Sequence, residues 1–418
     1  MEWSVNIEKS LSDVVIKVRL TENNSLAGRA AIGGDYGSGF GFLLAIGSLH
    51  LATSDTLETI SSHNFPGEKH QVVTTDGYIL TLFRIPYSPT LHNEKLPKKI
   101  VFLQHGILGS SDSWLLTGPR YALPYVLSNS GYEVWLGNSR GNLYGRRHKK
   151  LSPEKEQFWQ FTFHELGVYD LPAQIDYVLN ITRQAELQFV AHSLGGTEFL
   201  VMLSENPQYN RFFRSVHLLA PLVFCTHPKS KLWSMVSKAA PLLTDEEYSA
   251  GSLTSGVMNM ICNMAISSLC QNIMLVLIGG KSSYITDKIK PSIASVESTG
   301  VSTRLMKHFA QLYESGHFAK YSYGKAENMK KYGRVTPPDY ILKNVMPAGQ
   351  FYVYQSGTDD LVSNEDLNHL TTAGLNFIER RVPVAKWNHL DYVFAKEAEK
   401  LIYRQIVTNM AMSPSKSP

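Results

Sequence analysis

A serine near the middle of the chain has the surroundings of an activated nucleophile. Residues 187–191 (LQFVA) form an apolar run that predicts a strand, Ser193 follows it after His192, and a predicted helix begins after the serine. The small residues Ala191 and Gly195 stand two positions before and two positions after Ser193, which lets a strand and a helix approach each other. This pattern is typical of a nucleophile elbow. The alternative interpretation is a serine at the start of a glycine-rich helix.

A nucleophilic serine needs two partners, a histidine that accepts its proton and an acid that orients the histidine. At an elbow the chain order is Ser, Asp, His, so both partners are expected downstream. Asp359 follows the predicted strand 351–354 and is the candidate acid, with the adjacent Asp360 as the alternative, because neighbouring side chains on a turn point in different directions. His389 follows the last predicted strand, 381–384, and is the candidate base.

Attack of a serine on an ester also requires backbone N–H groups that stabilise the oxyanion. The residue after the nucleophile, Leu194, supplies the first of these N–H groups. Residues 101–106 (VFLQHG) predict a strand that runs into His-Gly, where glycine lets the backbone turn toward the site. The N–H of Ile107 is therefore the second candidate. A tight turn with a packed His105 is compatible with this assignment, because the group that acts is backbone.

The elements that would position these residues alternate between short apolar strands and helices. An Asp76-Gly77 turn between residues 72–75 and 78–85 predicts a hairpin. The alternation favours βαβ units and a mainly parallel central sheet flanked by helices. The further predicted strands are residues 100–104, 133–136, 187–191, 216–219, 351–354 and 381–384.

The pattern changes between residues 223 and 345, where Met-rich and Leu-rich helical segments such as 232–243 and 257–278 predict a separate helical cap. Polar residues interrupt the segment 257–278 and argue against a transmembrane helix there. The predicted α/β core is then residues 55–222 and 346–410, with a flexible tail at 411–418. Asp391 is interpreted as the cap of the last helix.

Composition excludes several classes of protein. The 418 residues carry 40 Lys plus Arg against 36 Asp plus Glu, a net charge of +4 that does not indicate a nucleic-acid partner. With 43% hydrophobic residues, the chain has enough apolar material for a large core. Its 3 cysteines lack the spacing of a zinc site, so no metal is expected. No Gly-Lys-Ser/Thr follows the glycine-rich run 33–39, and no cofactor is predicted.

The N-terminal region, residues 1–54, is interpreted as a leader or extension. Within it, the apolar run 40–51 followed by the small residues 52–54 resembles the end of a secretory signal. Residues 1–38 would then be an extended or alternative start, and the mature protein would begin near Asp55. The alternative is a buried or anchoring apolar segment, which is too short to span a bilayer.

The chain resembles the acid lipase family of α/β-hydrolases over roughly residues 60 to 408. The resemblance implies the α/β-hydrolase fold, Ser193, Asp359 and His389 as a catalytic triad, and the Ile107 and Leu194 N–H groups as the oxyanion hole. Two positions depart from the family pattern: Ala191 replaces a glycine, and Leu194 stands where relatives often carry glutamine. The matching motifs are residues 72–80 (VVTTDGYIL), 103–106 (LQHG), 131–142 (GYEVWLGNSRGN), 169–173 (YDLPA) and 388–391 (NHLD).

The resemblance also suggests an oxidising compartment. Cys262 and Cys270 resemble a local disulfide of the family, and Cys225 is left unpaired; the alternative is that all three are buried thiols. The sequon Asn180-Ile181-Thr182 is a candidate glycosylation site and is consistent with a secreted or lysosomal protein.

These observations predict a serine hydrolase of neutral lipid esters, either acylglycerols or sterol esters, that acts at a lipid–water interface. A catalytically silent lipid carrier on the same scaffold is the alternative from another class. Such carriers usually lose a member of the triad, whereas all three positions are filled here. An esterase of soluble substrates or an acyltransferase is the third hypothesis, and the Met-rich and Leu-rich cap favours a long acyl chain instead.

Overall fold

The structure is a computed structural model that divides into two units, residues 1–53 and residues 54–418. In the first unit, strands β1 (Trp3–Lys9) and β2 (Val14–Leu20) form an antiparallel pair. The predicted leader segment 40–54 lies outside the residues that the structure describes. The described residues are 3–9, 14–20, 55–248, 279, 282–286, 288–297 and 299–413.

One sheet dominates the second unit. Over the described residues it consists of nine strands: β3 (Glu68–Val73), β4 (Tyr78–Ile85), β5 (Ile100–Gln104), β6 (Glu133–Leu136), β7 (Arg147–His148), β8 (Leu187–His192), β9 (Phe213–Leu219), β12 (Gln350–Gln355) and β13 (Ile378–Arg381). A separate antiparallel pair is formed by the short strands β10 (Glu247–Tyr248) and β11 (Val301–Ser302).

The strand order of the sheet is β13-β12-β9-β8-β5-β6-β4-β3, and β7 pairs with β4. The six strands from β13 to β6 run parallel to one another, whereas β4 is antiparallel to β3, β6 and β7. This is the mainly parallel sheet of the α/β-hydrolase fold, as the sequence predicts. The carboxyl ends of the parallel strands meet at one edge of such a sheet, where functional residues collect.

Helices flank the sheet and fill the connections. In the part of the chain that the structure describes, two π-helical segments, Leu166–Asp170 and Glu399–Tyr403, adjoin α-helices, and short 3-10 helices cover Ser111–Trp114, Glu156–Trp159, Pro207–Phe212, Ala240–Leu242 and Leu342–Asn344. The α-helices in the described residues are α1 (Thr56–Ser62), α2 (Leu123–Ser128), α3 (Phe163–Glu165), α4 (Leu171–Thr182), α5 (Leu194–Glu205), α6 (Leu232–Ala239), α7 (Lys290–Val296), α8 (Thr303–Ser315), α9 (Lys325–Tyr332), α10 (Asn364–Thr372), α11 (Asp391–Phe394) and α12 (Arg404–Met412).

The predicted hairpin is confirmed, because β3 and β4 are antiparallel and flank Asp76-Gly77. Strands β5 and β6 begin and end at the predicted residues, and every residue in them is buried. The prediction for the last strand, 381–384, is wrong: β13 ends at Arg381. This strand lies at the edge of the sheet and is mostly exposed, so no apolar run marks it, and Pro383 has no N–H for a strand ladder.

The region predicted as a cap lies between β9 and β12. In its described part, α6 begins at the predicted residue 232 and packs on α8, with the ring centroids of Trp233 and Phe309 5.0 Å apart. The predicted segment 257–278 lies outside the described residues. Across the described ranges, we find no helix with the length and apolar character that a membrane span requires. At the other end of the core, α12 continues to Met412, beyond the predicted boundary at residue 410.

Candidate active site

Ser193 occupies the sharp turn between strand β8 and helix α5. Its φ of 54° and ψ of −116° lie in a region that side-chain-bearing residues rarely adopt, and its N–H donates to Leu219 O in β9 at 3.0 Å. The turn also brings the first residues of α5 close to the backbone at the end of β5. A Cβ at Gly195 would lie 2.8 Å from the backbone oxygens of both Gln104 and His105, which leaves room for glycine alone. This geometry is that of a nucleophile elbow.

His389 joins Ser193 to Asp359. The His389 Nε2 atom lies 2.8 Å from Ser193 Oγ, and His389 Nδ1 lies 3.0 Å from Asp359 Oδ2. The His389 and Asp359 side chains are each 2% exposed, so water does not compete for their hydrogen bond. With hydrogen on Nδ1, the imidazole donates to Asp359 and leaves Nε2 to accept the hydroxyl proton of Ser193.

Two further contacts hold the backbone around His389. The Nε2–H of His192, the residue before Ser193, donates to His389 O at 3.0 Å, and His389 N donates to Asn388 Oδ1 at 2.7 Å. Burial lowers the pKa of His192 well below its usual value, and the charge of His389 lowers it further. His192 is therefore a neutral donor that ties the histidine loop to the elbow.

The structure distinguishes the two candidate acids. Asp359 Oδ1 accepts hydrogen bonds from the N–H groups of Leu361 at 2.8 Å and Val362 at 3.0 Å, which leaves Oδ2 directed at His389. Asp360 faces Asn388 instead, accepting from its Nδ2 at 2.6 Å. Adjacent carboxylates on this turn thus have different partners.

The loop after β5, residues 106–113, lies against the elbow; we call it the oxyanion loop. A Cβ at Gly106 would lie 2.8 Å from His192 Nδ1 and 3.2 Å from Ser193 Cβ. Within the described part of the chain, neither the N–H of Ile107 nor that of Leu194 donates a hydrogen bond. Both residues are buried, and both N–H groups remain available to an acceptor beside Ser193.

His105 stabilises the start of the oxyanion loop. Its Nδ1–H donates to Gly106 O at 2.8 Å, and its Nε2 accepts from Ser139 N at 3.2 Å and from Asn142 Nδ2 at 3.1 Å. Burial lowers the pKa of His105 to about 4, so the ring is neutral and can accept these bonds. The sequence shows this histidine only as a packed ring and does not reveal its three partners.

A buried carboxyl group, Glu198, lies beneath the elbow on α5. Gln104 Nε2 donates to Glu198 Oε2 at 2.8 Å, and Ser139 Oγ donates to Glu198 Oε1 at 2.7 Å. Burial raises the pKa of Glu198 well above its usual value. Sequence reasoning missed this residue, whose only signal is an acid in the apolar middle of a helix.

The remaining predicted residues have mixed outcomes. Asp391 is the first residue of α11 and not its cap, which is Leu390. The Oδ2 of Asp391 accepts from Asn388 N at 2.7 Å, and burial raises the pKa of Asp391 to about 6.

Asn180 is exposed in the last turn of α4, and its glycosylation stays a prediction. Cys225 is a buried free thiol, and Cys262 and Cys270 lie outside the described residues. Among the described side chains, we find no group of His, Cys, Asp and Glu that could hold a metal ion.

Comparison with known proteins identifies the family. Residues 56–118 match the family described as partial alpha/beta-hydrolase lipase region, and residues 99–251 match the alpha/beta hydrolase fold. Lipase 3 of Drosophila melanogaster is 36% identical over 386 residues, which cover 89% of this chain and 96% of that protein. The chain belongs to the acid lipase family of α/β-hydrolases.

Vertebrate proteins of the acid lipase family are similar over the same extent. The lysosomal acid lipase/cholesteryl ester hydrolase of Homo sapiens is 32% identical over 84% of this chain and 90% of its own length. The gastric triacylglycerol lipase of Bos taurus is 32% identical over 90% of this chain and 96% of its own length. This member of the acid lipase family is therefore a carboxylic ester hydrolase, and its substrates are lipid esters.

Proposed function

We propose that this acid lipase hydrolyses neutral lipid esters, acylglycerols or sterol esters, through an acyl-enzyme on Ser193. The observation that carries the proposal is the hydrogen-bonded series Ser193 Oγ, His389 and Asp359, with contacts of 2.8 and 3.0 Å. An acid, an imidazole and a hydroxyl in this order at a strained turn are the parts that acyl transfer requires.

In the first half of the reaction, Ser193 Oγ attacks the ester carbonyl carbon while His389 Nε2 takes the hydroxyl proton. The N–H groups of Ile107 and Leu194 donate to the oxyanion that forms. The bond to the alcohol oxygen then breaks, and His389 gives its proton to that oxygen. The alcohol leaves, and the acyl group stays on Ser193.

In the second half, water attacks the acyl carbon as His389 removes one of its protons. The bond to Ser193 Oγ breaks, His389 returns the proton to the serine, and the fatty acid is released. Asp359 stabilises the imidazolium in both halves, because its buried carboxylate bonds to His389 Nδ1.

The substrate class is supported by the relatives, whose names specify triacylglycerol and cholesteryl ester hydrolysis. We extend this to a secretory destination, since those relatives are named gastric and lysosomal lipases and Asn180 presents a sequon at the surface. In this proposal the insertion between β9 and β12 is the cap over the site.

The test uses the full chain produced through a secretory pathway, with Ser193→Ala and the exposed Ser130→Ala as a matched control. Fatty-acid release is measured from trioleoylglycerol, cholesteryl oleate and a short-chain soluble ester. We expect Ser193→Ala to lose at least about 10⁴-fold in kcat and Ser130→Ala to match the wild type. Mass spectrometry after treatment with an organophosphate should locate the adduct on Ser193.

Three outcomes would contradict the proposal. Undiminished hydrolysis by Ser193→Ala would exclude the nucleophile. Activity confined to the short-chain ester would indicate an esterase of soluble substrates. A folded wild-type chain that retains lipid but cleaves none of the three esters would favour the carrier hypothesis.

A further inference from the structure

A segment of the insertion between β9 and β12 is bonded directly to the oxyanion loop. Thr299 N and Thr299 Oγ1 donate to Leu108 O at 3.1 and 3.0 Å, and Oγ1 also lies 2.8 Å from Gly109 O. Glu297, the C-cap of α7, makes a second connection: Ser113 Oγ donates to Glu297 Oε1 at 2.6 Å. We call Glu297 and Thr299 the strap residues.

The backbone that the strap residues contact is in an unfavourable conformation. Leu108 has a φ of 64°, in the left-handed region that leucine rarely adopts. Such a conformation persists where surrounding contacts over-determine it. The Leu108 carbonyl receives both Thr299 donors, and Leu108 directly follows Ile107, whose N–H is a candidate oxyanion donor. Loss of the strap contacts would therefore release the residue next to that donor.

Glu297 is in an environment that disfavours its charge. The residue is 6% exposed, and within the described part of the chain no lysine or arginine forms an ion pair with it. Its Oε1 lies so close to the oxyanion loop that a Cβ at Gly109 would be 3.0 Å away. Ser113, which donates to it, accepts in turn from Ser110 N at 3.2 Å. A carboxylate here has one hydroxyl donor and little water to stabilise it.

The titratable groups around Glu297 are few. Burial raises its pKa to about 7, while the hydrogen bond from Ser113 and the interaction with His389 act in the opposite direction. On the 3-10 turn that faces it, Asp112 is bonded to Tyr144 and Thr56 instead. Lys290 stands at the opposite end of α7. Glu297 therefore changes charge near neutral pH, and because the charged form is poorly hydrated in this buried position, we expect ionisation to weaken the contact between the strap residues and the loop.

We propose that Glu297 and Thr299 are positioning residues, which hold the oxyanion loop in the conformation that presents the Ile107 N–H and which do so when Glu297 is protonated. This inference rests on the proposed function, since it assigns the strap to the oxyanion hole of that reaction. In this inference, residues of the insertion help to set the geometry of the oxyanion hole, in addition to any contact that the insertion has with substrate.

The first experiment measures kcat and KM on a short-chain soluble ester for Thr299→Val, Thr299→Ser and the exposed Thr372→Val. We expect Thr299→Val to lower kcat by about 10-fold to 100-fold with little change in KM. Removal of one oxyanion donor lowers kcat by about 10²-fold to 10³-fold, and in this variant the Ile107 N–H is displaced but still present. Thr299→Ser keeps the hydroxyl and should restore most of the loss. Equal kcat values for Thr299→Val and Thr372→Val would overturn the inference.

The second experiment compares the pH profile of Glu297→Gln with that of the wild type, each expressed as a fraction of its own kcat at pH 5. Glutamine preserves an acceptor for Ser113 and cannot ionise, so the wild type should lose activity above about pH 7 while Glu297→Gln does not. Superimposable profiles would contradict the role of the proton.

A third measurement does not depend on activity. Hydrogen exchange of peptides that cover residues 106–113 should be faster in Thr299→Val than in Thr299→Ser, and at pH 8 faster in the wild type than in Glu297→Gln. Unchanged exchange would refute the strap. If exchange changes as expected while the wild type cleaves no ester, the proposed function fails and the strap stands as a structural link. Melting temperatures of all variants control for global unfolding.

Discussion

Asp360, next to Asp359 in the chain, accepts a hydrogen bond of 2.6 Å from Asn388 Nδ2, while Asp360 N donates to Asn388 Oδ1 at 2.9 Å. The turn that carries Asp359 and the loop that carries His389 are thus joined at the reacting groups and also through the neighbours of those groups. The connection between Asp360 and Asn388 helps to fix the distance between the two segments.

This pairing gives the first prediction, which separates the two acids. Asp359→Asn should lower kcat by about 10⁴-fold, because an amide disfavours the histidine tautomer that accepts the serine proton. Asp360→Asn should cost less than about tenfold, since it weakens one hydrogen bond worth about 1 kcal/mol. Steady-state hydrolysis of a soluble ester measures both. Equal losses in the two variants would exclude Asp359 as the particular partner of His389.

The second prediction concerns the space beneath the elbow. Gly195→Ala should lower the free energy of unfolding by about 1–3 kcal/mol, because the new methyl group meets two backbone oxygens that cannot rotate away. Gly357→Ala is the matched control, since the nearest atom to its Cβ is 3.7 Å away on the side chain of Asn364. Urea unfolding of the two variants should differ clearly, and similar midpoints would show that the approach of α5 to β5 is less tight than the structure indicates.

The third prediction follows from the buried carboxyl group of Glu198. Burial raises its pKa above the usual 4.5, so the folded chain keeps a proton that the unfolded chain releases as the pH rises past that value. Glu198 therefore contributes a loss of unfolding free energy with rising pH, of up to about 1.4 kcal/mol per pH unit from this one group. Glu198→Gln cannot ionise and should remove this contribution to the pH slope, so its unfolding free energy should increase relative to that of the wild type between pH 5 and pH 7.

Urea unfolding at several pH values measures that slope. The exposed Glu94→Gln serves as the control and should reproduce the wild-type slope. If Glu198→Gln and Glu94→Gln have the same slope, Glu198 is ionised in the folded protein.

The fourth prediction concerns the start of the core. Thr56, in α1, is wholly buried; its N–H donates to the Tyr144 hydroxyl at 2.9 Å, and its Oγ1 bonds to Ser111 Oγ at 2.7 Å and to Asp112. Thr56→Val leaves the half-buried Asp112 without one donor and should cost about 1–3 kcal/mol of unfolding free energy. The exposed Ser62→Ala in the same helix should be near neutral. A neutral Thr56→Val would mean that Tyr144 and Ser110 satisfy Asp112 without Thr56.

The sequence predicts the central strands well for a physical reason. Strands β5 and β6 are buried on both faces, so their apolar runs coincide with their bounds. An edge strand such as β13 carries charged residues in IERR and lacks that signal. The short β7, Arg147–His148, is likewise invisible, because two residues have no periodicity.

The residues of the candidate site likewise divide into those that the sequence predicts and those that it does not. Ser193 and His389 follow strands and stand in motifs, so their types and spacing are informative. The choice between Asp359 and Asp360 depends on which side chain the turn directs at His389, and this requires coordinates. Glu297 and Thr299 reach the oxyanion loop across nearly two hundred residues of chain, and no local pattern encodes such a contact.

Two neighbouring strands of the sheet are also far apart in the sequence: Ser215 in β9 pairs with Gln350 in β12, and the whole insertion lies between them in the chain. At synthesis rates of about 5–20 residues per second, β12 emerges on the order of ten seconds after β9. During that interval the apolar edge of β9 has no neighbour on one side and offers unpaired backbone groups to other chains. The length of the insertion thus sets how long a nascent molecule is exposed to aggregation before its sheet can close.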